Sequence, residues 1–129
     1  MSKKQLLMIL TLFMLYCMNT DVCFVYGEET VNLEYKGNHG VHSGIPFVPM
    51  DMPSVYYDDV TDEIIIDGNG YSAYYDVDIV SESTLLTLLS ANVDGDYDTV
   101  DVSSLPDDNY TIVITSSEDN QYEGHFTNY

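Results

Sequence analysis

From Ser54 onward, apolar and polar side chains alternate in short runs separated by turn-forming residues. A period of two is the pattern of strands with one buried face. Val55 and Tyr57 share one side of a first strand, and residues 58–62 form a turn. Ile64-Ile65-Ile66 is a second strand, whose unbroken apolar run hides which face points inward. Asp67-Gly68-Asn69-Gly70 is a strong turn, because Gly and Asn tolerate positive φ. In the strand over residues 73–80, Tyr75, Val77 and Ile79 face one side, with Asp76 and Asp78 on the other. Residues 84–92 fit either a strand with mixed faces or a short amphipathic helix capped by Ser83, and the neighbouring strands favour the first. Asp94-Gly95-Asp96 is a turn into residues 97–103, with Val100 and Val102 inward. A strand over residues 110–115, a turn over 116–120 and a closing strand with Tyr122 and Phe126 inward complete the pattern.

Leu105-Pro106-Asp107-Asp108-Asn109-Tyr110 runs directly into Thr111-Ile112-Val113-Ile114. A turn that ends in tyrosine before an alternating strand is the local pattern of a tyrosine corner, in which the hydroxyl bonds back to the upstream backbone. With about seven short strands and a turn about every ten residues, this predicts an all-β, immunoglobulin-like β-sandwich over residues 54–129. The disulfide and tryptophan of antibody domains are missing. Ile112 stands where the second cysteine would be, and Tyr74 or Tyr75 takes the tryptophan's place.

Before Ser54 the period is lost. Lys3 and Lys4 precede an apolar run from Leu6 to Met18 that is short for a bilayer span, and Val25 and Gly27 suit a cleavage site. Residues 1–27 are therefore expected to be a signal peptide, leaving no membrane span after cleavage and placing the protein in the periplasm or outside the cell. An uncleaved anchor is the alternative. Lipidation at Cys17 or Cys23 is another, but Tyr16 and Val22 precede them where a small residue is wanted. Residues 28–53 carry Gly37, Gly40, Gly44, Pro46, Pro49 and Pro53 and are expected to be an extended arm or linker able to pair with a sheet edge.

Charge narrows the partners. Three Lys+Arg stand against 22 Asp+Glu, a formal net charge of -19. Nucleic acid and anionic membrane surfaces are held mainly by Lys and Arg, so both are excluded as expected partners. Both cysteines lie in the signal peptide, so the processed fold must rest on packing alone.

The chain resembles the small secreted Bacteroidetes proteins of the "domain of unknown function 3244" family. The resemblance is carried by Pro53-Ser54-Val55, Glu63 to Asp67, Leu105 to Ile114 and Tyr122-Glu123-Gly124-His125-Phe126, across residues 53–129. Asp108-Asn109 departs from the glycine common before the corner tyrosine. The family implies an immunoglobulin-like fold and a secreted location, with no activity, cofactor or site residues to carry over.

Candidate chemistry is sparse. Asp94, Asp96 and Asp98 alternate as oxygen ligands for calcium would, although the spacing is not that of an EF-hand and a solvated acidic hairpin turn is the favoured reading. Asp67, Asn69, Asp76 and Asp78 form a weaker version of the same pattern. His39 with His42, and Glu123 with His125, are expected to be surface pairs. Tyr56 and Tyr74 are expected to point outward and form a ligand-binding face. The expected function is a non-enzymatic module of the cell envelope or extracellular space that binds a protein or glycan partner. The alternatives are a calcium-stabilised structural domain and, with less support, a hydrolase using surface carboxylates.

Overall fold

The computed structural model describes residues 3–5, 28–38 and 49–128. The expected signal-peptide run, Cys17, Cys23, His39 and His42 lie outside the described residues. Nine strands are described: β1 (Glu28–Val31), β2 (Glu34–Asn38), β3 (Ser54–Asp58), β4 (Glu63–Asp67), β5 (Tyr74–Ser81), β6 (Thr87–Asp94), β7 (Tyr97–Asp101), β8 (Asp108–Ser116) and β9 (Asn120–Asn128). They form a four-stranded sheet in the order β1-β3-β4-β7 and a five-stranded sheet in the order β2-β9-β8-β5-β6. Every pairing is antiparallel. No helix among the described residues is long and apolar enough to cross a membrane.

The inward positions of the two sheets make one core. Val55, Tyr57, Ile64 and Ile66 come from the four-stranded sheet, and Tyr75, Val77, Ile79, Ile112, Ile114 and Tyr122 from the other. The triple isoleucine resolves as the pleat requires: Ile64 and Ile66 are buried, and Ile65 is half-exposed. Tyr75 is fully buried on β5, the strand that pairs with β8, and so fills the tryptophan's place; Tyr74 points outward.

The tyrosine corner forms as expected. The Tyr110 hydroxyl donates to the Pro106 carbonyl, and the Tyr110 ring stacks on Phe126 at 5.4 Å between centroids. Phe126 in turn meets Tyr57 at 5.1 Å, and the Tyr57 hydroxyl donates to Asn128 Oδ1 at 2.8 Å. The corner is thus tied to both sheets.

Two expectations change. The run over residues 84–92 is neither a strand throughout nor a helix. Residues 81–86 form a tight turn, closed by Leu85 N–H donating to the Ser81 carbonyl and Ser81 N–H to the Leu86 carbonyl, and the strand begins at Thr87. The lead-in does pair with sheet edges, as an arm of this kind could, Glu28–Val31 with β3 and Glu34–Asn38 with β9, so the sandwich begins before Ser54. These edge strands are held by backbone bonds and bury little, Val31 being the one fully buried side chain in them. That is why no period was visible. Between β1 and β2 the chain changes sheets over Asn32 and Leu33 and passes close above Gly124. A Cβ at Gly124 would lie 2.8 Å from Val31 and 2.9 Å from the Asn32 carbonyl. The glycine of the Tyr-x-Gly-x-Phe motif makes room for this crossing.

Replacing Tyr110 with Phe keeps the ring and removes the bond to Pro106. We expect a loss of about 1–2 kcal/mol, read from the midpoint of urea unfolding at unchanged slope.

Candidate functional site

The register divides the loops between two ends. One end gathers residues 49–53, 67–74, 94–97 and 116–120; the other gathers 58–63, 81–87 and 101–108. The first end holds the main buried polar group of the domain. Asp51 is 6% exposed. Its carboxyl accepts from the Tyr122 hydroxyl and, at 3.0 and 3.2 Å, from Asn120 Nδ2. The Tyr75 hydroxyl donates to the Asp51 main-chain carbonyl at 2.7 Å. Asn120 Oδ1 accepts from Asn38 Nδ2 at 2.9 Å and from the Tyr35 hydroxyl at 3.3 Å, which brings β2 into the network. Burial, with the nearby Asp51 charge, pushes the Tyr75 phenol up to about 12. Burial, then the hydrogen bond to Asp51 and its charge, raises Tyr122 further. Both phenols stay protonated and act as donors across the ordinary pH range.

Three tyrosines are exposed at the same end. Tyr71, Tyr74 and Tyr97 are 56%, 42% and 56% exposed. The loop that carries Tyr71 is fixed by backbone bonds to the β6–β7 turn: Gly68 and Asn69 N–H donate to the Asp96 carbonyl, and Gly70 N–H to the Gly95 carbonyl. Gly95 lies so close to the Ser72 carbonyl that any side chain there would collide with it. Ser72 Oγ donates to the Tyr74 carbonyl at 2.6 Å and accepts from Ser117 N–H at 2.9 Å. The exposed rings therefore stand on a hydrogen-bonded frame.

This arrangement changes the expected binding face. Tyr56 and Tyr74 both leave the core, but on opposite outer faces of the sandwich, so no single face carries both. Tyr56 is half-buried on β3 and lines a hollow of about 230 Å³ with Leu33, Met52 and Pro53. Tyr74 shares its end of the sandwich with Tyr71 and Tyr97, although the register puts Tyr97, like Tyr56, on the outer side of the four-stranded sheet.

Nor are Asp94, Asp96 and Asp98 brought together as a ligand set. Asp94 Oδ1 accepts from Asp96 N–H at 2.8 Å, and Asp98 accepts from Asp94 N–H and Thr99 N–H at 3.0 and 2.8 Å. These carboxylates cap their own turn. Asp67 Oδ1 does the same for Asn69 N–H, while Asp76 and Asp78 accept from Asn92 and Ser90 across the outer face of the five-stranded sheet. Among the described residues no three His, Cys, Asp or Glu side chains are grouped as a metal ion would need. His125 pairs not with Glu123 but with Glu82, at 2.8 Å on the surface.

The fold as a whole is similar to that of a solved structure. A DUF3244 family protein from Bacteroides vulgatus, described as having an immunoglobulin-like beta-sandwich fold, superposes with a TM-score of 0.60. The alignment covers 79% of this chain and 99% of that one at 14% identity, a level at which the likeness carries the fold. This chain is an immunoglobulin-like β-sandwich. No protein-family model matches its sequence, and no curated protein does. Within the sandwich, sequence reasoning missed Asp51, because nothing in Met50-Asp51-Met52-Pro53 sets it apart from the other acids.

Asp51→Ala strips the partners from Tyr122 and Asn120 inside the domain. We expect a loss of about 3 kcal/mol in thermal or urea unfolding, against about 0.5 kcal/mol for Asp96→Ala on the surface. Since Asp94 and Asp98 already serve backbone amides and the three carboxylates are not grouped, melting curves in calcium and in chelator are expected to coincide. A rise in Tm with calcium that Asp94→Asn abolishes would restore the ligand set.

Proposed function

We propose that this chain is a secreted, non-enzymatic interaction module of the cell envelope or extracellular space, and that its aromatic end meets a protein or glycan partner. The observation that carries this reading is the contrast between the domain's tyrosines. Tyr57, Tyr75, Tyr110 and Tyr122 are buried and hydrogen-bonded, while Tyr71, Tyr74 and Tyr97 are held in solvent on a frame of backbone bonds. Tyrosine brings large contact area and a hydroxyl at low entropic cost, and an exposed ring stacks on sugars as readily as on side chains.

The use of the acids supports binding over chemistry. General acid and base work needs carboxyls free to face a substrate. Asp58, Asp67, Asp94, Asp98 and Asp101 instead accept from backbone amides of their own turns.

A variant with alanine at Tyr71, Tyr74 and Tyr97 is expected to keep its melting temperature within a few degrees. Binding to glycan arrays and to envelope proteins should fall at least tenfold. Binding equal to that of the unaltered protein would remove this end as the interaction surface.

A further inference from the structure

The other end of the molecule carries a second unusual surface. Among the described residues four strands form the sheet edges: β1, β7, β2 and β6. Three are guarded by charge in the usual way. β1 has Glu28 and Glu29, β7 has Asp98 and Asp101, and β2 has Glu34 and Lys36. β6 is charged at Asp94 alone, its last residue, and the whole stretch from Ser83 to Val93 holds no charged side chain. In a chain of net charge -19 this is a conspicuous gap. Beside it, Leu85, Leu86 and Leu88 are 80%, 61% and 42% exposed. Leu85 sits at φ 60°, a left-handed conformation costly for a bulky side chain, in a turn that presents it to water. Thr87 and Leu89 pair with the consecutive residues Val80 and Ile79, so Leu88 bulges out of the ladder.

Leu86 and Leu88 line a groove with Pro106 and Tyr110, open beside the tyrosine corner. Asp107 and Asp108 form its rim. The Ser81 and Ser83 hydroxyls donate to Asp108 Oδ2 at 2.5 and 2.6 Å and hold its carboxyl below the ordinary carboxylate range, so it remains an anion. Asp76 and Asp78 line the outer face of β5, next to β6.

We infer that β6 is a strand-acceptor edge for an extended polypeptide segment of a partner, apolar at its centre and flanked by Lys or Arg. The free edge of Leu89–Val93 would supply backbone bonds, the leucine groove would take apolar side chains, and the acidic rim would meet the basic flanks. Charge selects this occupant over a second copy of the chain, because two molecules each at -19 repel across such a contact. The inference does not rest on the proposed aromatic end: the leucine groove lies at the opposite end, and only the Val93 end of the edge comes near Tyr74.

The test uses a synthetic nine-residue peptide, Lys-Lys-Val-Thr-Val-Thr-Val-Lys-Lys, and the same peptide with Glu in place of Lys. Binding is followed by fluorescence polarisation and by amide exchange. The lysine peptide should bind, protect amides within Leu89–Val93, and weaken as salt is raised; the glutamate peptide should bind at least tenfold more weakly. Leu88→Lys with Ser90→Lys places the missing guards on the edge and should abolish binding. Leu86→Ser, at an exposed position with little bearing on folding, should weaken it severalfold. Equal Tm values for both variants and the parent keep loss of fold out of the result. Failure of the lysine peptide to bind, equal binding of the two peptides, or binding undiminished in the double variant would each overturn the proposal. Concentration-dependent dimerisation abolished by the same double variant would assign the edge to a second copy and overturn it as well.

Discussion

The Tyr110 hydroxyl bonded to the Pro106 carbonyl is the constraint around which the sandwich closes. It reverses the chain just before β8, the strand that pairs with both β5 and β9. The ring below that hydroxyl touches Phe126, and Phe126 touches Tyr57 of the opposite sheet. One side chain therefore sets a turn, a strand register and a contact between the two layers. Its work is larger here than in a domain with a disulfide across the core, because no cysteine lies among the described residues.

The same device appears at the other end. Tyr122 and Tyr75 bury their rings in the core and direct their hydroxyls to Asp51, one to its carboxyl and one to its main chain. A buried phenol needs a partner, and a buried carboxyl needs donors. Each requirement is met by the other, and Asn120 extends the network to Asn38 and Tyr35 on β2. The segment before β3 is thereby locked against the five-stranded sheet. A small domain gains a polar clasp at each end of an apolar interior, and no buried side-chain polar atom among the described residues is left without a partner.

Function divides along the same line. The acids that give the chain its charge mostly organise turns or lie on outer faces, so charge alone marks no site. What stands out is exposed apolar area: the tyrosines at the end that holds the Asp51 clasp, set among turn aspartates, and the uncharged leucine stretch beside β6. These two surfaces lie at opposite ends of the sandwich, and both are apolar area held in place by hydrogen-bonded turns.

The alternation of Tyr75, Val77 and Ile79 with Asp76 and Asp78, the corner at Tyr110 and the spacing of turns were enough to determine an antiparallel sandwich, because strand period and turn chemistry are local properties. The inward and outward assignment of Tyr57, Tyr75, Tyr56 and Tyr74 followed from the same period. Tertiary structure alone decided the rest. Edge strands β1 and β2 are made by backbone pairing, which leaves almost no side-chain pattern. Asp51 is singled out only by the phenols that fold over it. Whether Tyr56 and Tyr74 share a surface depends on which sheet each strand joins, and that is set by long-range pairing of segments far apart along the chain.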